Sequence, residues 1–285
     1  SGRGAFDLFL KPHLSRLLKA VGLDVVYERG EGDLLFLTGV SGKEESVLDL
    51  LGGFGASLMG HNHPELVERA ISLLRSGRPF NVQASARSYA GLLAEKLAER
   101  LKQSTGHEYM VTFANTGAEA VEAAIKHAEY ESMYRRDTTL AEFESKMRRI
   151  RRALREGQCH LPESVFDQAR RYLGHETTVD LHSLGFGILK FNHEKLVRPG
   201  IFLALEGAFH GKTTGALQLT YNPEFRDPWK NIGIPVKFLP FNDLDAAQEI
   251  IDFHTDYYVD VDIADDGAVV LAKKTFSRVT ACLVE

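Results

Sequence analysis

The chain has 285 residues, 44% of them hydrophobic and 26% charged, with a formal net charge of −5. That is the balance of a soluble globular protein, and its mild acidity gives no electrostatic case for nucleic acid. No apolar run approaches a membrane span, no signal peptide precedes the first helix, and Cys159 and Cys282 show no paired spacing, which fits a reducing cytoplasmic compartment. The first predicted element is a helix over about Phe6 to Ala20, with Phe6, Phe9, Leu10, Leu14, Leu17 and Leu18 on one face. Segments 25–28, 34–38 and 46–50 then read as a small strand meander. His61 and His63 stand two apart in a turn, but no further Cys, Asp or His sits at metal-ligand spacing, so a structural role is favoured. Pro64 opens a helix to about Arg75, and another runs from about Ser88 to Lys102.

From Tyr109 to Phe113 a short strand is expected, running into the turn Asn115-Thr116-Gly117 and a helix with Ala118, Val121, Ala124, Ile125 and Ala128 at helical spacing. Free backbone N–H groups at the positive end of that helix suit a phosphate, with the Thr116 hydroxyl as an added donor. The competing reading is an ordinary strand-turn-helix with a threonine cap. Between about Tyr130 and Val197 two helices are legible. Thr139 and Glu142 suggest a capping box ahead of a stripe of Leu140, Phe143, Met147, Ile150 and Leu154. The second starts at Pro162, carries Val165, Phe166, Ala169, Tyr172 and Leu173, and ends at Gly174. Together they read as an αα-hairpin that could be deleted over about 136–174 without loss of a bound cofactor. Arg148, Arg149, Arg151, Arg152 and Arg155 give the first a basic face, read as solvated or as a dock for an acidic partner or carrier domain. Glu206 to Ala216 contains Phe209-His210-Gly211-Lys212-Thr213, one residue out of step with the nucleotide loop G-x-x-x-x-G-K-S/T, because Glu206 stands where its first glycine belongs. A smaller expansion at about 254–278 precedes a last buried strand from Val279, ending in the acid Glu285.

Four of these segments resemble, in order, those of class III aminotransferases of the ornithine/ω-amino acid type. They are Asp49 to Gly55 with Gly60-His61-Asn62-His63-Pro64, then Phe113 to Ala120, Phe209 to Ala216, and Ala281 to Glu285. The resemblance covers about Val25 to Ala128 and Ile201 to Glu285, about two thirds of the chain. It implies an α/β, fold-type-I transferase with pyridoxal 5'-phosphate (PLP) as cofactor and a mostly parallel central sheet. A small N-terminal α+β subdomain with entry helices would span 1–105, and the large cofactor domain 106–285, with a helical insertion at about 131–197. Thr116, Gly117 and Ala118 would take the phosphate, Phe209 would stack on the ring, and His210 would lie beside it. Glu285 would join the polar network, and Phe54 would line the substrate pocket, although a buried core role for Phe54 is equally open. Substrates would be a small-molecule amine donor and a carbonyl acceptor, and the assembly a homodimer, with a carrier or fused domain as a further candidate partner, without nucleic acid or membrane. The family's Schiff-base lysine and the acid that protonates its pyridine nitrogen lie downstream of Glu285, while Lys126, Lys212, Lys273 and Lys274 fall in the wrong segments. The chain therefore reads as truncated before that lysine, with no catalytic residue of its own and no activity alone. Two alternatives stay open: a same-fold aminomutase or decarboxylase, and a non-catalytic relative acting in assembly or binding.

Overall fold

A computed structural model describes residues 2–39, 41–79, 82, 84–174 and 180–285. They form two compact units, Ser1–Leu92 and Leu93–Glu285, whose boundary falls inside a helix.

In the first unit the N-terminal helix is not continuous. A short α1 (Gly2–Ala5) passes into a π-helical turn (Phe6–Leu10), and α2 (Pro12–Ala20) begins anew at Pro12. A proline has no N–H to carry a helix through itself, so it starts one instead. Strands β1 (Arg29–Glu31), β2 (Leu34–Thr38) and β3 (Glu44–Leu48) form an antiparallel meander. The expected first strand at 25–28 is displaced, because the tight turn at Gly32-Asp33 pairs Glu31 with Leu34 and Arg29 with Phe36. Turn geometry sets hairpin register, and strand propensity yields to it. The third strand stops at Leu48 because Asp49 turns the chain: its carboxylate accepts the N–H groups of Leu51 and Gly52. A glycine-rich turn, α3 (Gly52–Gly55), follows, then α4 (Pro64–Arg75), as predicted, and α5 (Ser88–Thr105), which crosses into the second unit.

The second unit is an α/β layer structure around the parallel sheet β5-β4-β8, made of β4 (Ile201–Leu205), β5 (Val236–Leu239) and β8 (Val279–Leu283). Alternate side chains of the buried central strand serve opposite faces. Phe202 and Ala204 meet Ile125 of α6 (Gly117–Arg155) and Leu219 of α9 (Thr214–Leu219). Ile201 and Leu203 meet Ala247, Ile250 and Ile251 of α11 (Leu244–Phe253). A short α10 (Pro223–Arg226) with a 3-10 turn connects α9 to β5. The strand expected at 109–113 does not form: Met110 is fully exposed and Phe113 half-exposed. An extended segment becomes a strand only when a neighbour takes its hydrogen bonds, and none of the described strands does.

The segment after residue 130 differs most from expectation. α6 runs unbroken for 39 residues, with no capping box at Thr139, whose hydroxyl donates to the Arg135 carbonyl at 2.9 Å. No glycine or proline interrupts 118–156, so helix continuation outcompetes the local cap. α7 (Glu163–Leu173) starts and stops as predicted, with Gly174 in the left-handed conformation. Instead of a two-helix hairpin, however, a third helix, α8 (Leu181–Leu196), packs against both, and α6 and α7 also reach β6 (Thr255–Ile263) and β7 (Val269–Ser277) respectively. Gly185 and Gly187 hide α8 from a propensity reading, yet Gly185 is where α8 meets α6: a Cβ there would lie 2.5 Å from Met147 Cε. Phe143, Met147, Ile150, Val165, Ala169, Leu184, Ile188, Val259, Val261 and Val269 close into one core, with Leu154 against it and Leu140 outside. The buried Asn192 side chain accepts the Val259 N–H and donates to the Val259 carbonyl, both at 2.8 Å, filling the place of a neighbouring strand on β6.

Candidate functional site

The first turn of α6 is built around Thr116, whose hydroxyl accepts the Glu119 N–H at 3.1 Å, while the Glu119 carboxylate accepts the Asn115 N–H at 2.7 Å. The threonine is thus a helix cap, and the capping pair leaves the N–H groups of Gly117 and Ala118, which have no acceptor inside the helix, facing outward at the positive helix end. Nothing lies within 4 Å of where a Gly117 side chain would start.

The segment after β4 folds against this turn. Gly211, at φ +126°, comes so near that a Cβ on it would lie 2.8 Å from Ala118 Cβ. Glu122, one helical turn further along α6, fastens the start of α9: its carboxylate accepts the Thr213 hydroxyl at 2.6 Å, the Gly215 N–H at 2.8 Å and the Ala216 N–H at 3.1 Å. These bonds hold its carboxyl below the ordinary value against an opposing effect of partial burial. Glu122 was not singled out in the sequence; its signal was only a carboxylate on the same helix face as the turn. Thr220 completes the fastening, accepting the His210 N–H at 3.0 Å and donating to the Gly211 carbonyl at 3.0 Å.

Phe209 stands half-exposed on this loop, and its N–H donates to the carboxylate of Glu285. His210 Nε2 is buried without a hydrogen-bond partner. Burial lowers the His210 pKa, and the nearby Glu285 charge opposes that shift. Thr116, Gly117, Ala118, Phe209, His210 and Glu285 therefore all lie in Leu93–Glu285, with the helix turn, the loop and the strand end tied by the contacts above. The adjacent Lys212 is engaged elsewhere, its Nζ 4.2 Å from the Phe225 ring centre.

Phe54 belongs to the other unit. It is 89% exposed, so the core reading fails, and it takes a left-handed φ of 56° among the left-handed glycines 52, 53 and 55. A bulky residue there is strained, and the flanking glycines make the turn affordable. His61 Nε2 meets Asp49 at 2.8 Å, a contact that lowers the Asp49 pKa, and no metal-binding group occurs among the described residues. No helix among them is long and apolar enough to cross a membrane.

A family model described as aminotransferase class-III matches residues 19–265. A Pyrococcus furiosus protein provisionally named LysW-aminoadipate semialdehyde/glutamate semialdehyde transaminase is 26% identical over 261 residues, 90% of this chain and 50% of the relative. Acetylornithine aminotransferase of Archaeoglobus fulgidus is 28% identical over 231 residues, 81% of this chain and 42% of the relative. The crystal structure of adenosylmethionine-8-amino-7-oxononanoate aminotransferase from Methanocaldococcus jannaschii superposes at a TM-score of 0.47 and 18% identity, over 81% of this chain and 38% of that one. The chain spans about half the length of the curated relatives it matches.

Proposed function

Because this chain belongs to the class-III aminotransferases, of PLP fold type I, we propose that its protein moves an amino group between an amine or amino acid and an aldehyde, ketone or keto acid. Bound PLP would supply the electron sink and carry the amino group. The observation that carries the reading is the seating of the Phe209 loop against the α6 N-terminus, through Gly211 on Ala118 and Glu122 on α9. The free N–H groups of Gly117 and Ala118 would hold the phosphate, with the Thr116 cap fixing their direction. Half-exposed Phe209 offers a ring face for the cofactor, and the unpartnered Nε2 of His210 fits a polar group beside it. A neutral His210, favoured by its lowered pKa, adds no charge to that pocket. Glu285 would hold the loop by accepting the Phe209 N–H. Phe54, strained and exposed, is our candidate for the substrate pocket. We place the lysine that holds the cofactor aldehyde outside these residues.

On the same reading the protein is a cytoplasmic homodimer, supported by free Cys159 and Cys282 and by the exposed apolar side chains of Leu50, Leu51, Leu58 and Leu66. The test is incubation of the full-length protein with PLP, an amino-acid donor and a keto-acid acceptor. Amino transfer is expected; cofactor binding with rearrangement or CO2 release instead would move the reading to an aminomutase or decarboxylase. Absence of cofactor binding would sink it.

A further inference from the structure

The parallel strands β4 and β8 point their C-terminal ends at the Phe209 loop and Glu285. Their N-terminal ends border a different feature, a cavity of about 380 Å³ walled by the middle of α6, the 198–200 turn, β6, β7 and the start of β8. At about 3.3 Å per residue, a five-residue strand separates the two ends by roughly 15 Å. Most of the wall comes from 130–197 and 254–278. Its charge is one-sided: Arg135, Arg136, Arg198 and Arg278 line it against the single carboxylate of Glu131.

The arginines are only partly satisfied by neighbours. Arg135 pairs with Glu131 at 2.7 Å, Arg136 with Asp137 at 3.5 Å and Arg198 with Asp256 at 3.6 Å, each through one nitrogen of a guanidinium that carries several donors. Asp256 lies nearer to Lys195, at 3.0 Å. Arg278 has no acidic partner among the described residues; its Nη2 meets His254 Nδ1 at 3.2 Å. Two of the lining residues carry a buried atom with no hydrogen-bond partner, Arg278 Nε and Thr280 Oγ1. Buried polar groups are nearly always satisfied, so two such orphans on residues lining one cavity point to an absent acceptor. The space is specified by the backbone as well. A Cβ on Gly200 would lie 2.0 Å from Thr280 Oγ1, so glycine is what admits the hydroxyl here.

We propose that this cavity binds the phosphate group of a small phosphorylated molecule, gripped by Arg278 and Thr280 at its floor and by Arg136, Arg135 and Arg198 at its rim. A planar carboxylate is satisfied by one or two guanidinium forks, whereas donors arriving from α6, the 198–200 turn and β8 surround a tetrahedral acceptor. The rings of Tyr258 and Phe276 line the rest of the wall and leave an apolar surface for the organic part of the ligand.

The experiment is calorimetric titration of the full-length protein with inorganic phosphate at constant ionic strength, with citrate as a parallel titrant. Arg278→Gln should weaken phosphate binding about tenfold or more, as loss of a charge-assisted hydrogen bond does. Arg136→Gln, at an α6 side chain that is 26% exposed, should weaken it several-fold, and Gly117→Val should leave it intact. The last variant separates this cavity from the α6 N-terminus, which could also take phosphate. Binding lost in Gly117→Val but kept in Arg278→Gln and Arg136→Gln would overturn the proposal, and so would tighter binding of citrate than of phosphate.

Discussion

At the scale of single residues, Gly117 and Phe209 are the sharpest tests of the cofactor site. The position a Gly117 side chain would take is empty, and the residue has no left-handed φ, so Gly117→Val should fold. The valine would fill the space before the free N–H groups. Each hydrogen bond lost to a charged phosphate costs about 1.5–3 kcal/mol, so PLP affinity should fall by at least an order of magnitude, read by spectroscopic titration. Phe209→Ala should also weaken PLP binding. A fully buried phenylalanine would cost about 3–5 kcal/mol of folding free energy, but Phe209 is 49% exposed, so the denaturation midpoint of the apo form should move little. A large midpoint shift with unchanged PLP affinity would make Phe209 a core residue. His254 carries a pH prediction. Burial lowers its pKa, helped by the positive charges of Arg278 and Lys237. The unfolded chain therefore takes up the proton first as pH falls. Stability from this group is complete above the ordinary histidine value of 6.5 and is lost as pH drops below it toward the lowered value. His210 shifts the same way, so the comparison must be made within one site: His254→Gln should lose less stability than wild type between about pH 7.5 and about pH 5.5. Equal losses in urea denaturation would refute it.

At the scale of elements, α6, α7 and α8 share one hydrophobic core with β6 and β7. The apolar stripe of α6 was legible as a stripe, but its partners were not, because β6 and β7 lie more than a hundred residues away and α8 is disguised by glycines. The predicted deletion of 136–174 must be redrawn for this reason. It would uncover Leu184, Ile188, Val259, Val261, Val269 and Leu271, each now at most 5% exposed. At roughly 1.5–3 kcal/mol per side chain, that loss rivals the whole stability of about 5–15 kcal/mol for a domain. The short deletion should aggregate. Removing 136–196 together with 255–277, with short linkers, should spare the core of Ile125, Phe202, Ala204 and Leu219 and leave PLP binding measurable. A soluble, well-folded short deletion would show that the subdomain is not cooperative.

At the scale of the whole molecule, we expect borohydride treatment of this chain with PLP to fix the cofactor at no single lysine, since Lys212 is held over Phe225 and the loop offers no other. One modified lysine on mass mapping, with turnover, would overturn that. What the sequence determined alone was local or short-range: the Thr116 cap and the α6 start, α4 from its proline, α7 between Pro162 and Gly174, and the last strand from Val279. Caps, prolines and periodicity act within a few residues, so they can be read without neighbours. Only the tertiary structure decided that 109–113 stays unpaired, that α6 continues through Thr139, that Glu122 and Thr220 fasten the Phe209 loop, and that Arg278 and Thr280 face a common cavity. In each case the deciding partner is a hydrogen-bonding or packing group distant in sequence, or a competition between two structures of similar local energy, and its identity appears only once the chain has closed on itself.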